Sequence, residues 1–346
     1  MKKCICLLLV LISSMGLVLA TDAPVSSKFD WSIVRGFNYQ PSFGSNATEI
    51  WVDKFDVCIV RNELETAKKH FPGMNTVRIW LSHDTFLCHR AEFMRNFKAV
   101  LDICHSLNLY AIPVLFNNWH SIPDFGGISP EMINYWFLSY GKSGTAPNYI
   151  FRPYFEEMFT TFDTHPSLLA WDMCNEPFNS DAPAITPWLR DIYNSAKKLG
   201  IRRPVGVSVQ ASLPQVEKVA EFSDVIMIHP YFADKNTKLP DIVRFASGKG
   251  KPVLATECCW GELDDAKHVE LVRADLETLK NLKLGFLIHA LYESPVGDLH
   301  RPDLGTMSSA GYMAFINRDG SLRKGHEIFN DYCPKIPPSD KAESLK

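Results

Sequence analysis

The chain has 346 residues, a formal net charge of −3 at pH 7, and 46% hydrophobic residues beside 22% charged ones. This balance is typical of a globular protein and excludes an intrinsically disordered chain. It provides neither the basic patch of a nucleic-acid-binding protein nor a polybasic membrane-binding segment, so we expect no nucleic acid and no membrane partner. We also expect a monomer.

The first twenty residues have the parts of a secretory signal peptide. Two lysines follow the initial methionine, the short apolar run Leu7–Ile12 comes next, and Val18-Leu19-Ala20 offers a small-x-small cleavage site. The apolar run is too short to span a bilayer. We predict that residues 1–20 are a signal peptide removed by cleavage, and that the chain is secreted or periplasmic.

Beyond this segment, short apolar runs rich in β-branched residues alternate with longer amphipathic ones. The runs predict strands at Ile33–Tyr39, Thr76–Leu81, Tyr110–Phe116, Leu168–Cys174, Pro204–Val209, Val225–His229, Pro252–Thr256 and Gly285–Leu291. Helices between them are predicted at Phe93–Ser106, Tyr149–Phe162, Pro187–Leu199 and Ala266–Asn281.

Eight strands alternating with helices predict a parallel α/β sheet, and closure at eight predicts a (β/α)8 TIM barrel. We place this barrel in a single domain over residues 21–333, followed by a polar, proline-rich tail at 334–346. An open, doubly wound sheet is the alternative. The first strand disfavours it, because no glycine-rich phosphate turn follows.

Seven of the nine cysteines follow residue 20, and an odd number leaves at least one thiol unpaired within the chain. They include no CxxC pair, so a structural zinc site is not expected. A Cys58–Cys88 bridge between loops is one pairing that the sequence leaves open. Asn46-Ala47-Thr48 is a glycosylation sequon, which has meaning only in a eukaryotic source.

Two acidic residues end apolar strands at the face where such barrels carry their chemistry. The fourth strand ends in Asn175-Glu176-Pro177 and the seventh in Thr256-Glu257. Each carboxylate alone is equally well explained as a helix cap or an ion-pair partner, but two at one face indicate a functional pair. Acetal cleavage needs such a pair, one to protonate the departing oxygen and one to attack or stabilise the anomeric carbon.

Five motifs follow in chain order: Arg35-Gly36-Phe37-Asn38, Asn75-Thr76-Val77-Arg78-Ile79-Trp80, Asn175-Glu176-Pro177, His229-Pro230-Tyr231 and Thr256-Glu257. This set, over nearly the whole chain after residue 20, resembles the clan A glycoside hydrolases and family 5 in particular. The resemblance implies a retaining hydrolase with Glu176 as acid/base and Glu257 as nucleophile. It implies no cofactor and no metal, because two carboxylates suffice for the mechanism.

The resemblance also implies roles around the two carboxylates. Arg78 should reach Glu257 and keep it ionised. Asn175 should bind the sugar 2-hydroxyl, Tyr231 should donate to Glu257, and His229 should line the cleft near the acid/base. The substrate-binding residues implied in this way, including those of the third and eighth strands, are Arg78, Asn118, Trp119, His120, Asn175, His229, Tyr231, Trp260 and His289.

The end of the third strand, Asn117-Asn118-Trp119-His120 followed by Gly126-Gly127, resembles the corresponding loop of family 5 β-mannanases. Asn118 and His120 are expected sugar contacts and Trp119 a stacking platform, because aromatic faces suit the axial C–H groups of sugar rings. Trp80, Trp136 and Trp260 are further candidates. For each tryptophan, core packing is the competing explanation.

The eighth strand departs from the family, whose members usually carry a tryptophan there. Residues 286–293 contain none, and His289 or Tyr292 takes that place. The sugar therefore stays open. We expect endo-action on an oligo- or polysaccharide, with β-mannan first and β-1,4-glucan or an exo-cleaved β-glycoside as alternatives.

Two other classes of protein are alternatives to a retaining glycoside hydrolase. One is a non-catalytic carbohydrate-binding barrel. The other is a metal-dependent barrel hydrolase, whose ligands would be drawn from His83, His120, His229 and His289. The first strand ends in Asn38 rather than in an HxH pair, which disfavours the metal-dependent class.

Overall fold

The structure is a computed structural model that describes residues 29–119, 127–135, 150–179, 183–299 and 312–333. Eight parallel strands close into a barrel in sequence order, because the first strand pairs with both the second and the eighth. They are β1 (Arg35–Asn38), β2 (Thr76–Trp80), β3 (Tyr110–Asn117), β4 (Trp171–Asn175), β5 (Val205–Gln210), β6 (Val225–His229), β7 (Val253–Ala255) and β8 (Gly285–Ile288). The predicted (β/α)8 barrel in a single domain is confirmed. The predicted signal peptide and C-terminal tail lie outside the described residues.

The α-helices lie outside the barrel. Within the described residues they are α1 (Val57–His70), α2 (His83–Ser106), α3 (Pro130–Ile133), α4 (Arg152–Phe162), α5 (Ile185–Lys198), α6 (Leu213–Val219), α7 (Leu239–Gly248) and α8 (Asp265–Asn281). Helix α2 begins before the predicted Phe93, because the Ser82 hydroxyl accepts from the Thr85 N–H and the helix continues through a kink at His89. None of these helices combines the length and the apolarity needed to cross a bilayer.

The observed bounds of β4 and β8 differ from the predicted ones, because the chain there does not form the hydrogen bonds of the parallel sheet. Strand β4 begins at Trp171 rather than Leu168, which makes only an isolated bridge to Ala111. Strand β8 ends at Ile288. Beyond it, the His289 N–H bonds to the Cys258 carbonyl instead of continuing the parallel ladder. The chain therefore turns into the mouth of the barrel at His289.

The barrel interior is apolar at the N-terminal ends of the strands and polar at their C-terminal ends. A 3₁₀ turn at Trp31–Ile33 closes the apolar end, where it packs with side chains such as Ile112 and Leu254. Above this layer, Arg78 and Asp172 are fully buried inside the barrel. Buried charges persist only when they are paired, so the polar half of the interior has to be a connected network.

All seven cysteines after residue 20 are free thiols. Cys58 lies on α1 and Cys88 on α2, so neither belongs to a loop and the suggested bridge is not formed. Cys258 and Cys259 are buried three and four residues after the end of the seventh strand, with their sulfur atoms 3.6 Å apart.

Candidate active site

Arg78 is the centre of the polar network at the C-terminal end of the barrel. Its guanidinium donates to the Glu257 carboxylate at 2.5 Å and to the Asp172 carboxylate at 2.8 and 3.0 Å. The remaining N–H groups donate to the amide oxygens of Asn38 at 2.9 Å and Asn175 at 2.7 Å. Burial alone would lower the pKa of Arg78, but the carboxylates of Asp172 and Glu257 raise it. Arg78 is thus a fixed cation beneath Glu257.

Glu257 is held as an anion from several sides. The Tyr231 hydroxyl donates to Glu257 Oε2 at 2.7 Å, while Arg78 holds Oε1. Burial alone would raise the pKa of Glu257. Charge at His229, Arg78 and His289, with the hydrogen bond from Tyr231, instead lowers it to about 2. The side chain is therefore ionised across the neutral pH range.

Glu176 directly follows β4, whose ladder to β5 shifts register between Asp172 and Asn175. Its backbone has the left-handed φ of 46°, which is uncommon for a residue other than glycine and recurs at functional sites. The carboxylate Oε1 lies 2.9 Å from His229 Nδ1, and Oε2 accepts a hydrogen bond from Asn179 Nδ2 at 2.7 Å. The bulge and these two contacts aim the carboxylate into the barrel mouth.

The carboxylates of Glu176 and Glu257 meet across the barrel mouth. One oxygen of each and a ring nitrogen of His229 all lie within 4.8 Å of one another. This spacing agrees with the carboxyl separation of about 5–5.5 Å in retaining glycosidases. The same three groups are of types that bind divalent metals, but Arg78 at 2.5 Å from Glu257 puts a positive charge beside any such ion and disfavours it.

A cavity of about 390 Å³ lies above the two carboxylates, within the range of roughly 300–1,000 Å³ for ligand sites. Its described walls are Gln40, Trp80, Asn117, Trp119, Asn175, Glu176, Gln210, Ala211, His229, Tyr231, Asn236, Glu257, Trp260, His289, Tyr312 and Met313. The walls therefore combine aromatic faces with carboxamide and imidazole groups, a composition suited to sugar rings.

The structure brings most of the predicted site residues to this cavity, and Arg78 lies below it. Asn118 is buried, none of the described residues hydrogen-bonds to its side-chain amide, and Asn117 lines the cavity in its place. Successive residues of a strand point to opposite faces, so only one of these two asparagines can face the mouth. His120 and Trp136 lie outside the described residues. Of the two eighth-strand candidates, His289 lines the cavity.

Tyr292 and His83 were predicted as possible site residues, but both lie away from the described cavity wall. Tyr292 is buried and is absent from the described cavity wall. His83 faces another way, with its Nε2 atom 3.0 Å from the Ile150 carbonyl oxygen. Of the four histidines considered for a metal-dependent hydrolase, His229 and His289 line the cavity, His83 does not, and His120 lies outside the described residues.

Several residues of the site were missed by sequence reasoning. Gln40 lies two residues after Asn38, and that spacing of two was the available signal, because alternate strand residues share a face. Asn179 touches Glu176 from the loop after β4, where no periodic pattern applies. Tyr312 and Met313 come from a segment distant in sequence from the catalytic motifs, and nothing local indicated their position.

Aromatic side chains form one wall of the cavity. The ring of Trp260 lies 5.4 Å from Tyr231, edge to face, and 5.9 Å from Tyr312. Trp119 belongs to the opposite side, because it follows β3 while Trp260 follows β7. In a barrel of eight strands the third and seventh face each other, so aromatic surfaces flank the carboxylates on both sides.

Comparison with known proteins finds similarity to one family. The family model "Cellulase (glycosyl hydrolase family 5)" matches residues 36–204, which run from the second residue of β1 to beyond β4 and include Glu176. A β-glucuronidase from Paenibacillus borealis is 36% identical over 69 residues, which are 20% of this chain and 11% of that protein.

Among solved structures, the exo-β-1,4-mannosidase Op5Man5 from Opitutaceae bacterium strain TAV5 has a TM-score of 0.65 at 19% identity, covering 89% of this chain and 61% of that one. The endo-β-1,4-mannanase from Thermotoga petrophila has a TM-score of 0.62 at 14% identity, covering 90% and 78%. The family 5 mannosidase from Rhizomucor miehei has a TM-score of 0.61 at 15% identity, covering 87% and 92%. At these identities the similarity establishes the fold.

The fold and the site together are a closed eight-stranded barrel with two carboxylates that meet at the C-terminal ends of β4 and β7. Over its matched part the chain is similar to family 5 glycoside hydrolases, and this match supports the family 5-like resemblance that its motifs predicted.

Proposed function

We propose that the chain is a retaining β-glycoside hydrolase that cleaves β-mannan by double displacement, with Glu176 as acid/base and Glu257 as nucleophile. The observation that carries the proposal is the pair of carboxylates within 4.8 Å in one cavity. Their surroundings differ, since Glu257 is fixed as an anion by Arg78 and Tyr231. Unequal environments of this kind separate the roles of two carboxylates.

In the first step, Glu257 attacks the anomeric carbon while the bond from that carbon to the departing oxygen breaks. Glu176 gives its proton to that oxygen, so the leaving group departs as an alcohol. Glu257 loses its charge as the ester forms. Arg78 then keeps Asp172 as a counter-ion at 2.8 Å, so no unpaired buried cation results.

In the second step, water attacks the anomeric carbon, the ester bond breaks, and its electron pair returns to the Glu257 carboxylate. Glu176 takes the proton of the water. Contacts from His229 at 2.9 Å and Asn179 at 2.7 Å keep the Glu176 carboxylate in one orientation for both proton transfers. Two displacements on one carbon retain its configuration.

The chemistry orients the substrate in the cavity. The cleaved sugar ring lies over Glu257 and the leaving group lies beyond Glu176. The glycone side is therefore walled by Gln40, Trp80 and His289, and the leaving-group side by residues such as Gln210. Asn175 donates one Nδ2 hydrogen to Asn117 at 2.9 Å, and we assign the other to the sugar 2-hydroxyl.

Two observations support β-mannan as the substrate. The segment Asn117–Trp119 resembles the third-strand loop of β-mannanases, and it contributes two cavity residues. The solved structures with this fold include proteins named mannosidase and mannanase. Endo-action is supported by the aromatic surfaces of Trp119 and Trp260 on opposite walls, which can hold sugar rings on both sides of the cleaved bond.

The test is hydrolysis of mannan, cellulose, xylan, mixed-linkage glucan and an aryl β-glucuronide, with proton NMR of the first product. We expect mannan to be cleaved fastest, with the β-anomer formed first. Faster cleavage of another glycan would change the proposed substrate but not the proposed mechanism. An α-anomer as first product would contradict retention, and sugar binding without turnover on every substrate would indicate a binding protein.

Variants of the two carboxylates separate their roles. We expect Glu257→Ala and Glu176→Ala each to lose nearly all activity, whereas Glu217→Ala, on an exposed helical carboxylate, should match the wild type. Azide should restore Glu176→Ala with a β-glycosyl azide as product and Glu257→Ala with an α-glycosyl azide. The reverse assignment of products would exchange the two roles.

We also propose that residues 1–20 direct secretion and are removed. The support is the basic, apolar and small-residue order of this segment. Mass spectrometry of the protein expressed with its own leader should find Thr21 at the N-terminus of the exported form. Retention of Met1 in that form would contradict cleavage.

A further inference from the structure

An imidazole stands behind the hydrogen bond that reaches the nucleophile. His289 follows β8 directly, lines the cavity and is 5% exposed, with its ring 5.8 Å from that of Trp80. Its Nδ1 atom lies 3.0 Å from the Tyr231 hydroxyl oxygen and 4.0 Å from Glu257 Oε2. Tyr231 therefore lies between His289 and Glu257.

The direction of this hydrogen-bond chain follows from counting protons. An ionised carboxylate can only accept, and a tyrosine hydroxyl has one proton to donate. The 2.7 Å contact to Glu257 uses that proton, so the Tyr231 oxygen presents a lone pair to His289. His289 Nδ1 must then carry a hydrogen. If Tyr231 instead donated its proton to His289, the Tyr231 oxygen would present a lone pair to the Glu257 oxygen 2.7 Å away. The Glu257 anion would then lose this donor.

We propose that His289 is a positioning residue that acts through Tyr231, with its Nδ1–H directing and polarising the Tyr231 hydroxyl toward Glu257. This rests on the proposed role of Glu257 as nucleophile. Chains of hydrogen bonds with aligned directions strengthen one another, so a donor to Tyr231 makes its own O–H a stronger donor. His289, which follows β8 where members of the family usually carry a tryptophan, thereby supports the nucleophile.

The effect falls unequally on the two chemical steps. In the second step water forms a bond to the anomeric carbon, and the Glu257 ester oxygen leaves with the bonding electrons. A polarised Tyr231 hydroxyl stabilises the charge that returns to the carboxylate, so it favours hydrolysis of the glycosyl-enzyme. In the first step the same contact stabilises the attacking anion before reaction, so it gives no comparable acceleration.

The charged and titratable groups near His289 come from several strands. Glu257 and the buried Cys258 follow β7, and Tyr231 follows β6. Arg78 on β2 lies under the Trp80 ring at 4.8 Å. His229 is the other imidazole beside Glu257, at 3.5 Å, and its closer contact is Glu176. Only His289 is positioned to donate to Tyr231 in this set.

The first test needs no substrate. Nitrogen-15 NMR of the histidine rings in the full protein at pH 7, with His289 assigned by loss of its signals in His289→Asn, reports which ring nitrogen carries hydrogen. We expect a protonated Nδ1. A His289 ring with a bare Nδ1 would overturn the inference whatever sugar is cleaved.

The second test measures breakdown of the glycosyl-enzyme by burst kinetics on an aryl β-glycoside with a dinitrophenyl leaving group. His289→Phe keeps an aromatic ring at this position but removes the N–H donor. We expect it to slow this step about tenfold. His289→Asn, whose amide nitrogen can occupy the Nδ1 position, should stay within about threefold. Circular dichroism and thermal melting confirm that both variants fold.

The double variant with Tyr231→Phe decides whether the route passes through Tyr231. Once the hydroxyl is absent, His289→Phe should slow the step by less than about twofold further, because coupled residues are non-additive. A full tenfold loss in both backgrounds would show that the ring acts by packing and contradict the inference. Absence of hydrolysis on every aryl glycoside would instead refute the proposed function, and the NMR result would still decide the state of His289.

Discussion

Removing the Tyr231 hydroxyl tests how Glu257 is kept charged. Burial would raise the pKa of Glu257, and charge at His229, Arg78 and His289 together with the Tyr231 hydrogen bond lowers it to about 2. The Tyr231→Phe substitution keeps the ring and deletes the hydroxyl, which removes the 2.7 Å donor to Glu257 and the acceptor for His289. A hydrogen bond to a charged group contributes about 1.5–3 kcal/mol, so its loss should raise the pKa of Glu257 by about 1–2 units.

The same shift predicts how stability depends on pH. The pKa of Glu257 is lower in the folded protein than the value of about 4.3 in an unfolded chain. Its contribution to stability is therefore complete above about pH 4.3 and is lost as the pH falls through about 2. Tyr231→Phe should lower the free energy of unfolding by about 1.5–3 kcal/mol at pH 7 and by much less near pH 2.

The assay is kcat/KM from pH 2.5 to 7, with urea unfolding at both ends of the range. We expect the acid limb of Tyr231→Phe to lie near pH 3–4, about 1–2 units above that of the wild type. Tyr332→Phe is the matched control, because it deletes a hydroxyl that bonds to Glu277 at 2.8 Å on the outside of the barrel. An acid limb unmoved in Tyr231→Phe would refute the idea that this hydrogen bond sustains the anion.

Other substitutions and additions test separate parts of the structure. Asn179→Ala removes a 2.7 Å donor to Glu176, so it should slow substrates with poor leaving groups about tenfold and spare dinitrophenyl glycosides, as steady-state rates would show. Gly36→Ala puts a methyl group 1.7 Å from the Thr76 carbonyl oxygen and should destabilise the barrel by at least about 3 kcal/mol in urea unfolding, with unchanged stability as the contrary result. Excess chelator should leave hydrolysis unchanged, and a rate lost and then restored by zinc or manganese would indicate metal catalysis.

The fold could be predicted because the pattern is periodic and local. β-Branched runs such as Val225–His229 have the length and composition of buried strands, and that strand has the predicted bounds. The two carboxylates were predictable for the same reason, since parallel strands end at one face and each of the two strands ends in an acid. The ends of helices and strands were harder to predict where a hydrogen bond, rather than periodicity, determines them. The Ser82 cap at the start of α2 is an example.

The site was harder to predict where it depends on side-chain direction or distant segments. Asn117 and Asn118 are chemically identical, and only the exact strand phase decides which one faces the cavity. Asp172 was read as part of a strand, and its pairing with Arg78 across the barrel has no signature in either segment. Tyr312 reaches the cavity from a distant segment, so no local pattern could place it.

Trapping the covalent intermediate tests most directly whether Glu257 is the nucleophile. The protein is treated with a dinitrophenyl 2-deoxy-2-fluoro-β-glycoside of the sugar that it cleaves, which slows breakdown of the ester more than its formation, and is then digested and sequenced by mass spectrometry. We predict one fluorosugar per chain, attached to Glu257, with slow recovery of activity as it hydrolyses. A label on another residue, or a fully active enzyme that never acquires a label, would contradict the assignment.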